Sequence, residues 1–323
     1  MQIIKKVNKD KWIGIKVREL PKYNYKAIWN NLTTIRPYMG EVMELPANNC
    51  EFYDVSIGTM CNAGCNFCYV SAKKDGEPYK DISNTWKKWM STYNETLVDN
   101  GTVLLTDKMF QIAIGSEGEP TTSPEFCNFL KTVYESNVVP NYTTNGIILS
   151  YWNKFGSKYY EKAIDILEAT SRYVGGVAVS YGNKSLRKYA EDAIEGLLEM
   201  GNCEVMIHHI ISDKNSVDEF VDCWKKYGDK IRNHVLLPLM ASGRSKKSIE
   251  EGVFEYLEQS IENNAIQNVA FGAHFIKYLE KSTKIKTWLY PAETYSRNVL
   301  LQKDKIIITP SSFDLTPIST LEF

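Results

Sequence analysis

The sequence lacks an excess of charge of either sign, and it lacks a long apolar run. Among its 323 residues 38 are basic and 39 are acidic, so the formal net charge is −1. This near-neutral charge argues against a nucleic-acid binder driven by bulk charge and does not exclude a local basic groove. The two longest uncharged stretches, 55–72 and 136–153, are broken by Asn, Gly, Ser, Pro or Cys, so neither is expected to span a membrane. The first residues contain no apolar stretch of signal-peptide length, which favours a soluble, cytoplasmic protein.

The sequence has seven cysteines, an odd number, and none of them lies after Cys223. Three of them fall within eight residues, which does not suit a disulfide framework. In a reducing compartment such a cluster more often binds metal. The isolated Cys127, Cys203 and Cys223 are expected to be ordinary buried thiols.

Strand-like and helix-like segments alternate from residue 51 onward. Strands are predicted at 52–57, 110–114, 138–143, 177–180, 204–211 and 234–239, and helices at 84–98, 124–134, 159–169, 186–200, 217–227 and 249–261. Repeated strand–helix units with short connections predict a parallel sheet wrapped by helices. Six units are too few for a closed eight-stranded barrel. We therefore predict an α/β fold, a partial (β/α)6 TIM-type barrel.

Two shorter regions flank the predicted barrel, which occupies residues 51–245. Residues 1–50 predict an N-terminal β element, with strands at 3–7 and 12–17 around a turn at 8–11. Residues 246–323 predict a short α/β extension with strands at 268–271, 285–289, 299–302 and 306–309. A helix and a hairpin that turns at 303–305 would close the barrel.

The cysteine cluster has the spacing C-x3-C-x2-C over Cys61, Cys65 and Cys68, in the loop after the first barrel strand. Three thiolates on one loop can hold three irons of a [4Fe–4S] cube and leave the fourth iron open to another ligand. Gly64 lets the backbone turn tightly enough for the sulfurs to converge. The alternative is a zinc knot, which needs a fourth ligand, and Cys50 is a candidate at an unusual spacing.

The cysteine loop resembles the signature of the radical S-adenosylmethionine (radical SAM) superfamily. In that superfamily the open iron chelates the amino and carboxylate groups of SAM. An electron from the cluster cleaves SAM to methionine and a 5′-deoxyadenosyl radical, which abstracts a substrate hydrogen atom. The resemblance therefore implies a [4Fe–4S] cluster and SAM as cofactors, and an electron donor such as flavodoxin or ferredoxin as a partner.

Polar residues at the ends of later strands extend the resemblance. The segment 115–120 is similar to the family's Gly-Gly-Glu-Pro element, with Glu117 in place of the first glycine. A turn containing Thr144 and Asn145 follows the third strand and resembles the family's Thr-Asn-Gly turn. The residues that the resemblance assigns to SAM are Phe67, Tyr69, Gly118, Glu119, Thr144, Asn145 and Ser180. An ordinary helix start after 120, and a simple Asn-Gly turn, are the alternatives for these segments.

Two further residues are candidates for cofactor binding. His208 and His209 are adjacent on one predicted strand, so at most one faces the barrel interior. His209 is the candidate, and a structural histidine is the alternative. Arg244 follows the sixth strand and is a candidate to bind an anionic group of SAM or substrate, with a solvated arginine as the alternative.

The resemblance predicts hydrogen abstraction from a peptide or protein, that is, a post-translational modification. The leading β element supports this, because its edge could pair with an extended peptide. So does a C-terminal tail that is similar to the auxiliary-cluster extension of peptide-modifying members, with Ser where Cys would stand. A nucleotide or other small-molecule substrate, as in the viperin-like branch, is the runner-up. A non-catalytic iron–sulfur or zinc module is the remaining alternative.

Overall fold

The predicted alternation of strands and helices is present in the computed structural model. The structure describes residues 16–20, 25–29, 35–38, 52–92, 97–98, 102–103, 111–136, 138–182, 184–200, 202–279, 282, 296–309 and 315–323. The helices are α1 (Ile82–Met90), α2 (Phe126–Glu135), α3 (Tyr160–Tyr173), α4 (Arg187–Met200), α5 (Lys214–Tyr227), α6 (Val253–Asn263) and α7 (Ile276–Leu279). None of the described helices combines the length and hydropathy of a membrane-spanning segment.

The strands of the described residues form three sheets. They are β1 (Lys16–Leu20), β2 (Tyr25–Trp29), β3 (Ile35–Tyr38), β4 (Phe52–Ser56), β5 (Leu97–Val98), β6 (Thr102–Val103), β7 (Gln111–Ile114), β8 (Val139–Thr144), β9 (Gly176–Ser180), β10 (Glu204–Ile211), β11 (Asn233–Pro238), β12 (Val269–Phe271), β13 (Ser296–Gln302), β14 (Lys305–Thr309) and β15 (Ser319–Glu322). The main sheet has ten strands in the order β12-β11-β10-β9-β8-β7-β4-β13-β14-β15. Its strands from β12 to β13 are parallel, while the β13–β14 and β14–β15 pairs are antiparallel.

Alternation along the strands divides the side chains between the two faces of the main sheet. Outward residues such as Val55, Val177 and Ile207 join the apolar faces of α1 to α4 in one buried cluster. A second cluster packs β10 to β12 against α5 and α6. On the inner face, a small cluster of Ala178, Met206, Val235 and Ala270 occupies the N-terminal halves of four strands. The C-terminal ends of the strands above it are left to line the site.

Local sequence signals explain where individual helices begin and end. Helix α5 begins at a capping box, because Asp213 accepts from the backbone N–H of Ser216 at 2.8 Å and Ser216 Oγ accepts from the Asp213 N–H at 3.1 Å. The helix predicted over 84–98 was drawn too long, since α1 ends at Met90. The hydroxyls of Ser91 and Thr92 donate to carbonyls of its last turn and so satisfy the groups that a further turn would use.

The C-terminal hairpin is present, but it does not close the barrel. Strands β13 and β14 pair through a turn at 303–304, where the sequence predicted a turn at 303–305. Strand β13 then pairs with β4 in parallel, so the hairpin extends the sheet at one edge. Within the described residues the sheet is open, and the predicted strand 268–271 is β12 (Val269–Phe271), which pairs in parallel with β11 at the other edge. The strand predicted at 285–289 lies outside the described residues.

The N-terminal β element is a three-stranded antiparallel sheet in the order β1-β2-β3. The predicted strand 12–17 overlaps β1 only at its last two residues. The predicted strand 3–7 and the turn at 8–11 lie outside the described residues. The domain boundaries after residues 50 and 245 remain a prediction.

Candidate functional site

The three clustered cysteines lie on the loop that joins β4 to α1. Backbone hydrogen bonds fold this loop on itself, with the Cys61 N–H donating to the Lys73 carbonyl at 2.8 Å and the Thr59 N–H donating to the Glu77 carbonyl at 2.9 Å. Gly64 lies between the first two cysteines with φ +69°, a left-handed conformation that glycine adopts without strain. All three thiols are half-buried. They are therefore accessible to a ligand without being dispersed on the surface.

Arg244, which follows β11, holds the cysteine loop, which follows β4. Its Nε donates to the Cys65 carbonyl at 2.6 Å, and its Nη1 donates to the Ala72 carbonyl at 2.7 Å. Its own backbone N–H donates to the Cys68 carbonyl at 2.9 Å. Gly243, with φ +58°, lies so close to the loop that a Cβ would fall 2.3 Å from the Cys68 carbonyl oxygen. Arg244, which was predicted to bind an anion, thus donates these hydrogen bonds to backbone carbonyls of the cysteine loop.

Glu119 ties the loop after β7 to the loop after β8. One of its carboxylate oxygens accepts from the hydroxyls of Thr121 and Thr144 at 2.7 and 2.8 Å, and the other accepts from the Asn145 N–H at 2.7 Å. Burial raises the pKa of Glu119, and the hydrogen bonds from Thr121, Asn145 and Thr144 act in the opposite direction. Because protein donors already surround the carboxylate, Glu119 organises two loops of the site. Its predicted contact with the SAM ammonium remains a prediction.

The two glycine- and asparagine-bearing turns contact the cysteine loop directly. A Cβ on Gly118 would lie 2.6 Å from the carbonyl oxygens of Gly58 and Met60, so only glycine allows this approach. The Asn145 side chain donates to Asn62 Oδ1 at 2.8 Å and points at Cys61 Sγ at 3.8 Å. The Tyr69 hydroxyl donates to the Ser116 carbonyl at 2.7 Å. Segments distant in sequence therefore meet around the three thiols.

A cavity of about 380 Å³ opens at the C-terminal ends of the parallel strands. This is the end at which parallel α/β barrels bind their ligands. The candidates that line it are Cys61, Cys65, Cys68, Phe67, Tyr69, Gly118, Glu119, Thr144, Asn145, Ser180 and Arg244. One candidate does not line the cavity, and that is His209.

His209 faces the helices, so the prediction that it binds a cofactor is wrong. Alternation on β10 directs His209 outward and His208 inward, and His208 is the histidine that lines the cavity. His209 is buried and contacts His234, with its Nε2 2.9 Å from His234 Nδ1. At most one of the pair was expected to face inward, and His208 does, but the sequence around the pair does not determine which one.

Asp54 and His208 are among the ionisable residues of the cavity that were not predicted from the sequence. Asp54 lies in the middle of β4, and desolvation raises its pKa to about 7. Desolvation also lowers the pKa of His208 to about 4, so its imidazole is neutral at physiological pH. The signal for Asp54 was available, because a carboxylate inside an otherwise apolar strand needs a reason to be there.

The chemistry of the cysteine loop fits a cluster better than a single ion. A zinc ion with Zn–S bonds of about 2.3 Å would bring its sulfurs to roughly 4 Å from one another. In the described part of the chain, one group of His, Cys, Asp and Glu has ligand atoms all within 4.8 Å of one another, and it does not include the loop cysteines. Three half-buried thiols at the rim of a cavity suit a cube that spreads its ligands over three irons.

Comparison with known proteins shows the fold. No protein-family model and no curated protein matches the sequence. Among solved structures, SuiB from Streptococcus suis bound to the precursor peptide SuiA is 17% identical with a TM-score of 0.54, over 82% of this chain and 60% of that chain. SuiB bound to S-adenosylmethionine is 16% identical with a TM-score of 0.51, over 83% and 61%.

A third SuiB structure is 14% identical with a TM-score of 0.51, and the match covers 95% of this chain and 82% of that one. The chain thus spans about 60% of the length of the SuiB chains in the two ligand-bound structures. At this identity the likeness concerns the path of the chain. It confirms the predicted fold class, a partial α/β barrel.

Proposed function

We propose that this protein is a radical SAM enzyme, with SAM and a [4Fe–4S] cluster as its cofactors. The observation that carries the proposal is the convergence of Cys61, Cys65 and Cys68 with the loops after β7 and β8 at one cavity. The spacing of the cysteines supports it, and so does the fold shared with a protein that binds S-adenosylmethionine. When bound, the cluster would supply the electron that cleaves SAM and generates the 5′-deoxyadenosyl radical.

The residues of this chain would hold and orient these groups. Cys61, Cys65 and Cys68 would ligate iron as thiolates, and Arg244 would fix the loop that carries them. Asn145 would be positioned beside the cluster by its bond to Asn62. The loop after β7, with its carbonyls and Glu119, would offer acceptors to the SAM ammonium.

The cavity wall would keep water from a reactive radical. Apolar side chains line the side remote from the carboxylates, among them Leu186, Ile210, Leu237 and Leu239. Such a surface holds a substrate C–H bond near the radical and excludes competing hydrogen sources. The cofactors would supply the radical chemistry, and the protein would orient the substrate and exclude water from the site.

We further propose a peptide or protein as the substrate. SuiB, a protein with a similar fold, has been solved with a precursor peptide bound. The lining of the cavity includes one arginine, committed to loop carbonyls, and no lysine among the described residues. A phosphate-bearing nucleotide would need more cationic side chains around it. The cavity therefore favours a peptide over the alternative substrate, a nucleotide.

The N-terminal sheet is our candidate for peptide docking by edge pairing. Its outer strands are β1 and β3. Strand β3 contains Pro37, which has no N–H to donate, whereas β1 contains no proline. An extended peptide would therefore pair with β1.

The proposed activity is tested under anaerobic conditions. The protein is reconstituted with iron and sulfide and reduced with dithionite in place of a flavodoxin or ferredoxin. SAM is added and 5′-deoxyadenosine is measured by mass spectrometry, with Cys65→Ala as the control. We expect product from the wild type and none from the variant. A wild type that binds no iron would contradict the proposal.

The substrate class is tested in the same assay. A peptide fraction of a cell extract and a nucleotide fraction are added separately, and the rate of 5′-deoxyadenosine formation is compared with that of SAM alone. We expect the peptide fraction to stimulate turnover and protease treatment to abolish the stimulation. Stimulation by the nucleotide fraction alone would instead support the small-molecule alternative.

A further inference from the structure

A second group of metal-ligating side chains lies on the outer side of the sheet, away from the cavity. His209 on β10, His234 on β11 and Cys223 on α5 each offer a ligand atom, and these atoms all lie within 4.8 Å of one another. All three side chains are buried. The cluster is separate from the cysteine loop, because none of its three residues lines the cavity.

Hydrogen bonding inside the protein does not account fully for these polar groups. His209 Nε2 and His234 Nδ1 are 2.9 Å apart. His234 Nε2 is buried and has no hydrogen-bond partner. The ring of Phe220 packs edge-on against both imidazoles and seals them from solvent. A buried nitrogen without a partner costs folding free energy, so its retention calls for an explanation.

Two imidazoles and a thiolate are a donor set that suits zinc. Zinc binds His nitrogen at about 2.0–2.1 Å and Cys sulfur at about 2.3 Å, which sets neighbouring ligand atoms roughly 3–4 Å apart. The separation within this cluster allows that geometry after small side-chain movements. The hydroxyl of Tyr181 offers an oxygen ligand beside the cluster, because it hydrogen-bonds with Cys223; it also donates to Glu191 at 2.7 Å.

We propose that His209, Cys223 and His234 bind a structural zinc ion. Its ligands would be one nitrogen from each histidine ring, the Cys223 thiolate and, as the fourth ligand, the hydroxyl oxygen of Tyr181. The ion would fasten α5 to strands β10 and β11. This site is independent of the iron–sulfur cluster and of the proposed activity.

The protonation states on binding balance simply. Burial lowers the pKa of both histidines, so each ring is neutral and has a lone pair available for the metal. Burial raises the pKa of the Cys223 thiol to about 12, so binding of the zinc dication releases the thiol proton to solvent. The charged groups around the cluster are Glu191, Lys226 and Arg187. Lys226 is 3.0 Å from Glu191, and Arg187 stacks on the Tyr181 ring.

Metal content separates this site from the cysteine loop. The full chain is produced in zinc-supplemented medium, passed through a chelator and a desalting column, and analysed for zinc and iron by mass spectrometry. We expect one zinc per chain in the wild type and in Cys65→Ala, which should lose iron only. Cys223→Ala should lose zinc and keep iron. Cys127→Ala, which removes a thiol on α2, is the matched control and should keep both.

X-ray absorption at the zinc edge of the wild type keeps the test decisive if Cys223→Ala does not fold. We expect one sulfur and otherwise nitrogen or oxygen neighbours around zinc. A zinc surrounded by three sulfurs would belong to the cysteine loop and would overturn the proposal. A wild type without zinc, or a folded Cys223→Ala variant with undiminished zinc, would overturn it as well.

Discussion

His208 and His209 are chemically identical neighbours, and their positions on β10 give them opposite environments. One faces the cavity and the other faces α5 and its aromatic packing. A strand of this kind presents successive side chains to opposite faces, so the difference follows from backbone geometry alone. Substitution of His208 should therefore affect the site, and substitution of His209 should affect the stability of the fold.

The separation is measured with two alanine variants. His209→Ala removes a buried ring and should lower the free energy of unfolding by about 2–4 kcal/mol, with SAM affinity retained in the folded fraction. His208→Ala should change the free energy of unfolding by less than about 1 kcal/mol and alter SAM binding or turnover. Thermal unfolding and equilibrium binding of SAM give the two readouts. A larger loss of stability in His208→Ala than in His209→Ala would contradict the assignment.

Asp54 predicts a pH dependence of stability. Burial raises its pKa from 3.8 to about 7, so between these values the folded state holds a proton that the unfolded state has lost. The contribution of Asp54 to stability is therefore greatest below about pH 4 and falls as pH rises to about 7. Asp54→Asn removes this fall. At pH 8 we expect the variant to be more stable by about 1–3 kcal/mol, because the group faces an accessible cavity and the full shift is not realised.

The comparison is made by measuring the unfolding temperature of both proteins from pH 4 to pH 8. Asp229→Asn, at an exposed position, controls for the loss of one carboxylate. An equal difference between wild type and Asp54→Asn at every pH would show that Asp54 does not titrate in this range.

At the scale of elements, the parallel strands were the most predictable feature. The strand β10 was predicted with its observed ends, because its apolar run is bounded by turn residues on both sides. The end of α1 was not predictable from periodicity, since hydroxyl side chains end the helix while the apolar spacing continues. The pairing of β13 with β4 was not predicted, because it joins segments more than 200 residues apart.

The segment after β11 illustrates what local sequence cannot reveal. Arg244 was predicted to bind an anionic group, but its partners are carbonyls of the cysteine loop, about 170–180 positions earlier in the chain. Carbonyl acceptors exist in every residue and carry no sequence signal. The roles of Gly243 and Arg244 as a clamp on the loop therefore emerged only from the fold.

The clamp predicts that Arg244 is needed for the retention of iron. Arg244→Lys keeps the charge but cannot make the two forked bonds to the Cys65 and Ala72 carbonyls. We expect the variant to retain less than about half of the iron of the wild type after desalting, with a loss of stability of about 1–3 kcal/mol. Arg172→Lys, on the exposed face of α3, is the control and should retain all of it. Equal iron in both variants would mean that the clamp is dispensable.

At the scale of the whole molecule, the sheet brings predicted site residues from five separate segments together at the C-terminal ends of its strands. The cysteine motif and the turns after β7 and β8 were visible in the sequence because each is local. Their convergence, and the cavity of about 380 Å³ that they line, depend on the parallel order of the strands. The inner apolar cluster of Ala178, Met206, Val235 and Ala270 packs on the same inner face of the sheet.

The central claim is that the three cysteines of one loop hold a cluster whose remaining iron accepts SAM. Electron paramagnetic resonance of the reconstituted, dithionite-reduced protein tests it most directly, with spectra recorded before and after addition of SAM. We predict the signal of a reduced [4Fe–4S] cluster that changes its shape when SAM is added, and no such signal from Cys65→Ala. A cluster signal that is identical with and without SAM, or a wild type that binds zinc in this loop and no iron, would contradict the account.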